Sequence, residues 1–181
     1  MAKSMEWGEI PKADLIMTHY SEDTSAKAVI LGDIGRMAVY RGDDGYEYSL
    51  IRHKRIKILN KKGFTWADIS IPFYQKDNIE EINTLKAQII SPSGKKYELS
   101  RKDFFQEKIN DSWSQIKFTF PNLEEGAVIE YRYQLISKDV VQLQTWYFHN
   151  ELPTRFSELR LIVDAAFSYA TLFQGGEEME K

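Results

Sequence analysis

The stretch QIKFTFPNLEEGAVIEYRYQLI occupies residues 115–136 and contains the clearest structural pattern in the chain. Apolar and polar residues alternate from Ile116 to Phe120, and they alternate again from Ile129 to Leu135. A period of two with β-branched and aromatic side chains is typical of half-buried strands. Pro121 cannot donate to a strand ladder, and Gly126 suits a turn. The stretch therefore predicts two long antiparallel strands around a short loop.

Similar short apolar runs separated by turn residues continue along most of the chain. They predict an all-β fold with little helix, in which about 8–11 strands form an antiparallel β-sandwich of two packed sheets or an open barrel. We expect residues 1–25 to be an N-terminal extension or edge segment, residues 26–174 the sandwich domain, and residues 175–181 a flexible tail. Ser100–Ser114 is interpreted as a loop with one short strand or helical turn. The other predicted strands are Ala28–Leu31, Ile34–Tyr40, Tyr46–Leu59, Phe64–Tyr74, Leu85–Ile90, Tyr97–Leu99, Leu143–Phe148, Phe156–Val163 and Phe167–Phe173.

Composition argues against several classes of protein. The chain has 181 residues, with 24 Lys and Arg against 27 Asp and Glu, and its net charge of -3 does not favour nucleic-acid binding. It has no cysteine, which excludes disulfides, thiolate metal sites and a cysteine nucleophile within these residues. No apolar run approaches the roughly 18 residues of a membrane span. Residues 1–7 lack the apolar core of a secretory signal, so we expect either a cytoplasmic protein or one whose signal has been removed.

The densest group of charges is the basic run from Arg52 to Lys57, which includes Lys54 and Arg55. One interpretation is a site for an anionic ligand such as a phosphate or a sulfated glycan. The other is a solvated strand face whose charges discourage edge-to-edge pairing. Because strand alternation sends these side chains to both faces, we expect one side of the run to lie at an edge or in a loop-like extension.

Aromatic residues form a second candidate site. Trp146, Tyr147 and Phe148 are consecutive, and together with Trp113 and Phe156 they would offer a platform for stacking on a sugar or peptide. The alternative is that these side chains pack in the core. In the predicted strand, Trp146 and Phe148 share one face and Tyr147 takes the other.

No motif predicts catalysis, a metal site or a cofactor. The histidines His19, His53 and His149 are widely separated and lack a metal-ligand spacing. Asp43–Glu47 is interpreted as a hairpin turn, because its carboxylates lack the spacing of a calcium loop.

Three pieces of the sequence, in order, resemble a bacterial domain of unknown function that precedes transglutaminase-like domains in exported proteins. The first is RIKILN at residues 55–60 with Gly63, and the second runs from Phe118 to Tyr133. The third is WYFHNELP at residues 146–153, followed by FSELRL at 156–161 and FSY at 167–169. The resemblance covers residues 25–172.

The resemblance implies a β-sandwich, a periplasmic or cell-envelope location, and a following papain-like domain with a Cys-His-Asp site. This chain matches only the N-terminal part of that architecture, so it is either an excised fragment or a stand-alone version. The leading hypothesis is a non-catalytic accessory domain that positions the transglutaminase-like domain of the same parent chain or binds its substrate. The alternatives are a carbohydrate-binding module that uses exposed Trp or Tyr side chains, and a stand-alone enzyme.

Overall fold

The computed structural model describes residues 5–170 and is built mainly of β-strands. Its single α-helix within that range, α1, is short and spans Lys12–Leu15, and 3-10 helices occupy Lys61–Ala67, Lys76–Asn78 and Arg101–Asp103. The nine strands of the described residues are β1 (Ala28–Arg41), β2 (Tyr46–Ile58), β3 (Asp68–Tyr74), β4 (Glu80–Ile90), β5 (Lys96–Glu98), β6 (Phe105–Lys108), β7 (Trp113–Thr119), β8 (Val128–Ser137) and β9 (Ser157–Ile162).

Six of these strands form the larger sheet, in the order β5-β4-β8-β2-β1-β9. Its neighbours are antiparallel except β1 and β9, which pair in parallel. The remaining strands form a smaller antiparallel sheet in the order β3-β7-β6. Pro72 lies in β3 at an edge of the smaller sheet, where a strand tolerates a missing N–H. The prediction of an all-β sandwich with little helix is confirmed.

The predicted hairpin at residues 115–136 is wrong in its pairing, although both of its strands exist. β7 pairs with β3 and β6, whereas β8 pairs with β4 and β2. Residues 120–127 carry the chain from one sheet to the other, with Asn122 at φ 54° and Gly126 at φ 84°. Phe118 and Tyr131 then meet across the sandwich, with their rings 5.9 Å apart. The apolar faces of the two strands pack against each other in the core instead of lying side by side in one sheet.

Other predicted boundaries also differ from the structure. Residues 64–67 lie in a 3-10 helix and not in β3, and β4 begins at Glu80 and not at Leu85. Ala28–Arg41 is one strand, and the irregularity between Ile30 and Gly32 is a bulge within its pairing with β2. Residues 143–148 form no strand but cover the larger sheet through side-chain contacts. Residues 167–170 also form no strand, while the rest of that predicted strand and the predicted tail lie outside the described residues.

The larger sheet is covered on both faces. Its core face, defined as the face toward the smaller sheet, contributes side chains such as Ile56, Tyr131 and Leu135 to the main hydrophobic cluster. Part of its outer face, around Arg55, Lys57 and Glu130, is covered by residues 5–26, here called the N-terminal segment. Tyr20 of that segment joins a second buried cluster with Val29, Leu31, Ile90 and Val128. None of the helices within residues 5–170 is long and apolar enough to cross a bilayer.

Candidate functional site

The basic run lies in the middle of the larger sheet, which corrects the prediction that one side of it is at an edge. β2 is paired with β1 on one side and with β8 on the other. Arg52 and Lys54 point to the core face, whereas His53, Arg55 and Lys57 point to the outer face. Lys57 is 0% exposed and Arg55 is 4% exposed, so the run is not a solvated surface. The buried cations on each face of the sheet need a negatively charged partner, and each face has one carboxylate beside the run.

On the core face, Asp33 is the compensating carboxylate. Its Oδ1 accepts a hydrogen bond from Arg52 Nε at 2.8 Å, and its Oδ2 accepts one from Arg52 Nη2 at 2.6 Å. Lys54 Nζ lies 3.1 Å from Oδ2. The Asp33 side chain is 0% exposed, so one buried carboxylate holds two cations in what we call the Asp33 cluster.

The Asp33 cluster is covered by the chain that follows β8. The Arg52 guanidinium lies 4.6 Å from the ring centroid of Trp146, and Trp146 Nε1 donates to Ser157 Oγ at 3.1 Å. Lys54 Nζ donates to Asn150 Oδ1 at 3.4 Å. The non-strand segment around residues 143–150 is therefore anchored by an indole and an amide above the buried charges.

The pKa shifts in this cluster follow from its burial. Burial lowers the pKa of Lys54, and Asp33 only partly offsets that effect. Burial raises the pKa of Tyr131 and Tyr133, so both phenols stay protonated in the neutral range. For Arg52, burial opposes the charge, but the hydrogen bonds from the guanidinium to Asp33 outweigh it and raise the pKa. The charged groups of the Asp33 cluster are paired with one another in the interior.

On the outer face, Glu130 is the compensating carboxylate. Its Oε1 is paired with His53 Nε2 at 2.7 Å and with Arg55 Nη2 at 2.5 Å. Its Oε2 accepts from Gln88 Nε2 at 2.6 Å and from the Gly8 N–H at 2.9 Å. Burial would raise the pKa of Glu130, but the hydrogen bonds from His53 and the charge of Arg55 outweigh it and lower the pKa to about 2. We call this group the Glu130 cluster.

The N-terminal segment closes the outer face through polar contacts. Arg55 Nη2 donates to the Glu6 carbonyl at 2.7 Å, and Lys57 Nζ donates to the Leu15 carbonyl at 2.7 Å. Burial lowers the pKa of Lys57 to about 8. Asp14 forms two hydrogen bonds with Arg155, at 2.6 and 2.7 Å. The segment is thus bonded both to the sheet and to the loop before β9.

The structure brings together only part of the predicted binding set. Trp146, Arg52 and Lys54 meet on the core face of the larger sheet, while Arg55 lies on the opposite face. Trp113 lies in the smaller sheet, edge-on to Tyr74 with centroids 5.4 Å apart. The remaining two aromatic residues follow Trp146 in the covering segment: Phe148 packs 6.5 Å from Trp146, and Tyr147 is 66% exposed. A ligand role for these seven residues stays a prediction.

Sequence reasoning missed the two carboxylates that organise the clusters. The sequence predicts a bend at Asp33, between the strands Ala28–Leu31 and Ile34–Tyr40, and alternation places Glu130 on the polar face of its strand. A signal was present, since Gly32-Asp33 interrupts an apolar strand run and Glu130 sits between apolar neighbours. Within the described residues, no group of three His, Asp or Glu side chains is placed to hold a metal ion.

Gly35 leaves the space that Trp146 fills, which leads to a prediction. A Cβ at this position would lie 2.5 Å from Trp146 Cζ3 and 2.8 Å from Leu159 Cδ1. We expect Gly35→Ala to displace the indole and to lower the free energy of unfolding by about 1–3 kcal/mol, as overpacking does. Urea denaturation followed by tryptophan emission measures both effects. Gly42→Ala is the control, because its Cβ would meet only the flexible Glu47 side chain; equal effects of the two variants would contradict this account.

Comparison with known protein families identifies the family of this chain. The family model described as Domain of Unknown Function with solved structure (DUF3857) matches residues 46–180. The chain belongs to this family. The match begins at the first residue of β2, so it includes the basic run and Glu130 but not Asp33. No curated protein matches the chain.

A solved structure shares the DUF3857 domain's architecture. It is described as a "putative protease" from Parabacteroides distasonis and superposes with a TM-score of 0.61 at 14% identity. The match covers 77% of this chain but 29% of the Parabacteroides chain. At this identity the likeness concerns the fold, and this fold occupies less than a third of the longer protein.

Proposed function

We propose that this DUF3857 domain is a non-catalytic accessory sandwich that positions a transglutaminase-like catalytic domain in an exported envelope protein. The observation that carries the proposal is the 29% share of the Parabacteroides chain, in which a sandwich of this fold is one part of a larger protein. The sequence resemblance to domains that precede transglutaminase-like domains supplies the identity of the catalytic partner. A protease-type catalytic unit elsewhere in the Parabacteroides protein fits that arrangement.

The use of charged groups within the sandwich supports an accessory role. The carboxylates of the two clusters are held by hydrogen bonds: Asp33 accepts from Arg52, and Glu130 accepts from Arg55 and from the Gln88 amide. Among the described residues, no buried side-chain nitrogen or oxygen lacks a partner. A general base or nucleophile needs a lone pair free to reach substrate. These groups hold strands and covering segments together instead.

An exposed apolar surface supports docking of a second domain. Val141 and Tyr147 are 87% and 66% exposed, and they flank Trp146 in the segment after β8. Leu161 near the end of β9 is also exposed, at 41%, and strand alternation places it on the same face as Leu159, which lies beside Trp146 at Gly35. We call Val141, Tyr147 and Leu161 the docking surface and assign the catalytic domain of the same parent chain as its occupant. Contact with that domain would remove this apolar area from water.

The test is a titration of the 181-residue chain with the separately expressed transglutaminase-like domain from its own gene. A partner at 100 times its dissociation constant stabilises by about 2.7 kcal/mol, which is roughly 5 °C or more in Tm. We expect Tyr147→Ala combined with Leu161→Ala to weaken binding by about tenfold or more, because truncated interface aromatics commonly cost over 1 kcal/mol.

Phe105→Ala in the smaller sheet is the matched control, since it removes an exposed aromatic ring away from the docking surface. An unchanged Tm with the catalytic domain present, or equal weakening by the control, would contradict the proposal. A parent gene without such a domain would contradict it as well.

A further inference from the structure

The smaller sheet carries a groove on its solvent side that neither buried cluster uses. The groove has a volume of about 460 Å³ and is lined by Asp103, Phe105, Glu107, Lys117, Phe118 and Thr119. The groove is a shallow depression that is open to solvent. The groove belongs to β6, β7 and the 3-10 helix before β6, so it is separate from the docking surface on β9 and the segment after β8.

Phe105 provides an aromatic wall for the groove. It is 64% exposed, although the preceding residue, Phe104, packs inward against Phe118 with ring centroids 5.2 Å apart. Phe104 directly precedes β6 and has an extended backbone, with φ -105° and ψ 124°, so its side chain and that of Phe105 point to opposite sides. Phe105 lies directly opposite Lys117 in the β6–β7 ladder, so both side chains start from neighbouring positions on the same face of the smaller sheet.

The two carboxylates of the groove are each anchored through one oxygen. Asp103 Oδ2 accepts from both the N–H and the Oγ of Ser100, each at 2.7 Å. Glu107 Oε2 accepts from Gln115 Nε2 at 3.1 Å and lies 3.2 Å from Lys117 Nζ. Within the described residues, Asp103 Oδ1 and Glu107 Oε1 accept no hydrogen bond. Each carboxylate is therefore oriented by the protein and keeps an oxygen for a ligand.

This combination matches the chemistry of a sugar. A pyranose ring has an apolar C–H face that stacks on an aromatic ring, and hydroxyl groups around its rim. Those hydroxyls donate to carboxylate oxygens and accept from an ammonium group, and such charge-assisted bonds are strong. Two carboxylates against one lysine give the lining a negative balance, which disfavours acidic saccharides.

We propose that the groove between the 3-10 helix and β7 binds a neutral or amino-bearing saccharide, with Phe105 stacking on the ring and Asp103 and Glu107 accepting from its hydroxyls. This site differs from the tryptophan platform expected from the sequence. It does not depend on the proposed accessory function, since it lies on the other sheet.

The experiment is an NMR titration of the ¹⁵N-labelled chain with three hexasaccharides: chitohexaose, its deacetylated cationic form, and oligogalacturonate as the acidic probe. We expect chitohexaose or its deacetylated form to shift the amides of β6 and β7, and the acidic probe to bind more weakly. Phe105→Ala should lower the affinity by about tenfold or more, the loss expected when a stacking aromatic is removed. Glu107→Gln should also lower it.

Tyr97→Ala is the matched control, because Tyr97 is an exposed aromatic residue on β5 of the larger sheet. Absence of saccharide binding by the wild-type chain would overturn the proposal, as would equal binding by the Phe105→Ala variant or preference for the acidic probe. An extended threonine-rich peptide is added as a fourth probe. If the peptide is the only probe that binds, the exposed edge of β6 binds extended peptides as an added strand, and the saccharide site is excluded.

Discussion

Replacing Glu130 with glutamine is expected to lower the free energy of unfolding by about 3–5 kcal/mol, the usual cost of breaking a buried ion pair by removing one partner. Glutamine preserves the shape of the side chain but removes the charge that Arg55 and His53 share. Arg55 is 4% exposed and would be left as a buried cation without a counter-charge. The measurement is equilibrium urea denaturation at neutral pH.

The same carboxylate predicts an acid limit of stability. The folded-state pKa of Glu130 is about 2, below its ordinary value of 4.5. A group whose pKa is lower in the folded state stabilises the fold above its unfolded pKa and loses that contribution as pH falls through the folded pKa. We therefore expect the contribution, about 3 kcal/mol, to disappear between about pH 4.5 and pH 2. Glu130→Gln should flatten this part of the stability profile.

Asp111→Asn is the control for both measurements. Asp111 pairs with Lys108 at 2.8 Å, but the two side chains are 101% and 66% exposed. Such exposed pairs contribute little to stability, because water and salt screen them. A Glu130→Gln variant as stable as this control, or with an unchanged acid profile, would show that the Glu130 cluster does not stabilise the fold.

The strands could be predicted from local patterning, but the sheet to which each belongs could not. Alternation in residues 116–120 and 129–135 located β7 and β8 correctly. The turn residues between them indicate that the chain reverses, and a reversal fits either a hairpin or a crossing between sheets. The choice depends on partners distant in sequence, since β8 bonds to β4 and β2 and β7 to β3 and β6. Local pattern contains no information on those partners.

The Asp33 and Glu130 clusters could not be predicted from the sequence for a related reason. A run of five basic residues in six positions is usually a surface feature, because burying unpaired charge is costly. Here the compensating carboxylates come from neighbouring strands: Asp33 lies directly opposite Lys54 in β1, and Glu130 directly opposite Arg55 in β8. Only the register of three strands reveals that Lys54 and Arg55 each have an anion beside them.

The same two pairs give the clusters a role in specifying the fold. A slip of one residue in either ladder would turn every side chain to the other face. Such a slip would move Lys54 away from Asp33 or Arg55 away from Glu130, leaving charges in the interior without partners. We infer that the two clusters fix the register of β1, β2 and β8 and so hold the central part of the larger sheet in place.

Replacing Asp33 with asparagine is the second change with a large expected effect. Asp33 is 0% exposed and alone faces Arg52 and Lys54 on the core face. Loss of its charge leaves two cations in the interior, so we expect the free energy of unfolding to fall by about 3–5 kcal/mol or more. Urea denaturation measures the loss, and Lys54→Met alone should cost less than about 1.5 kcal/mol, because Asp33 keeps both hydrogen bonds from Arg52.

The double variant Asp33→Asn/Lys54→Met separates lost pairing from lost shape. If the damage in Asp33→Asn comes from uncompensated charge, removing one of the two cations relieves part of it, and the double variant is more stable than Asp33→Asn by about 1–2 kcal/mol. If the damage comes from altered packing around the asparagine, the second substitution adds its own cost and the double variant is less stable. The sign of the coupling therefore decides whether electrostatics or packing holds this part of the sheet, whatever the size of the single effects.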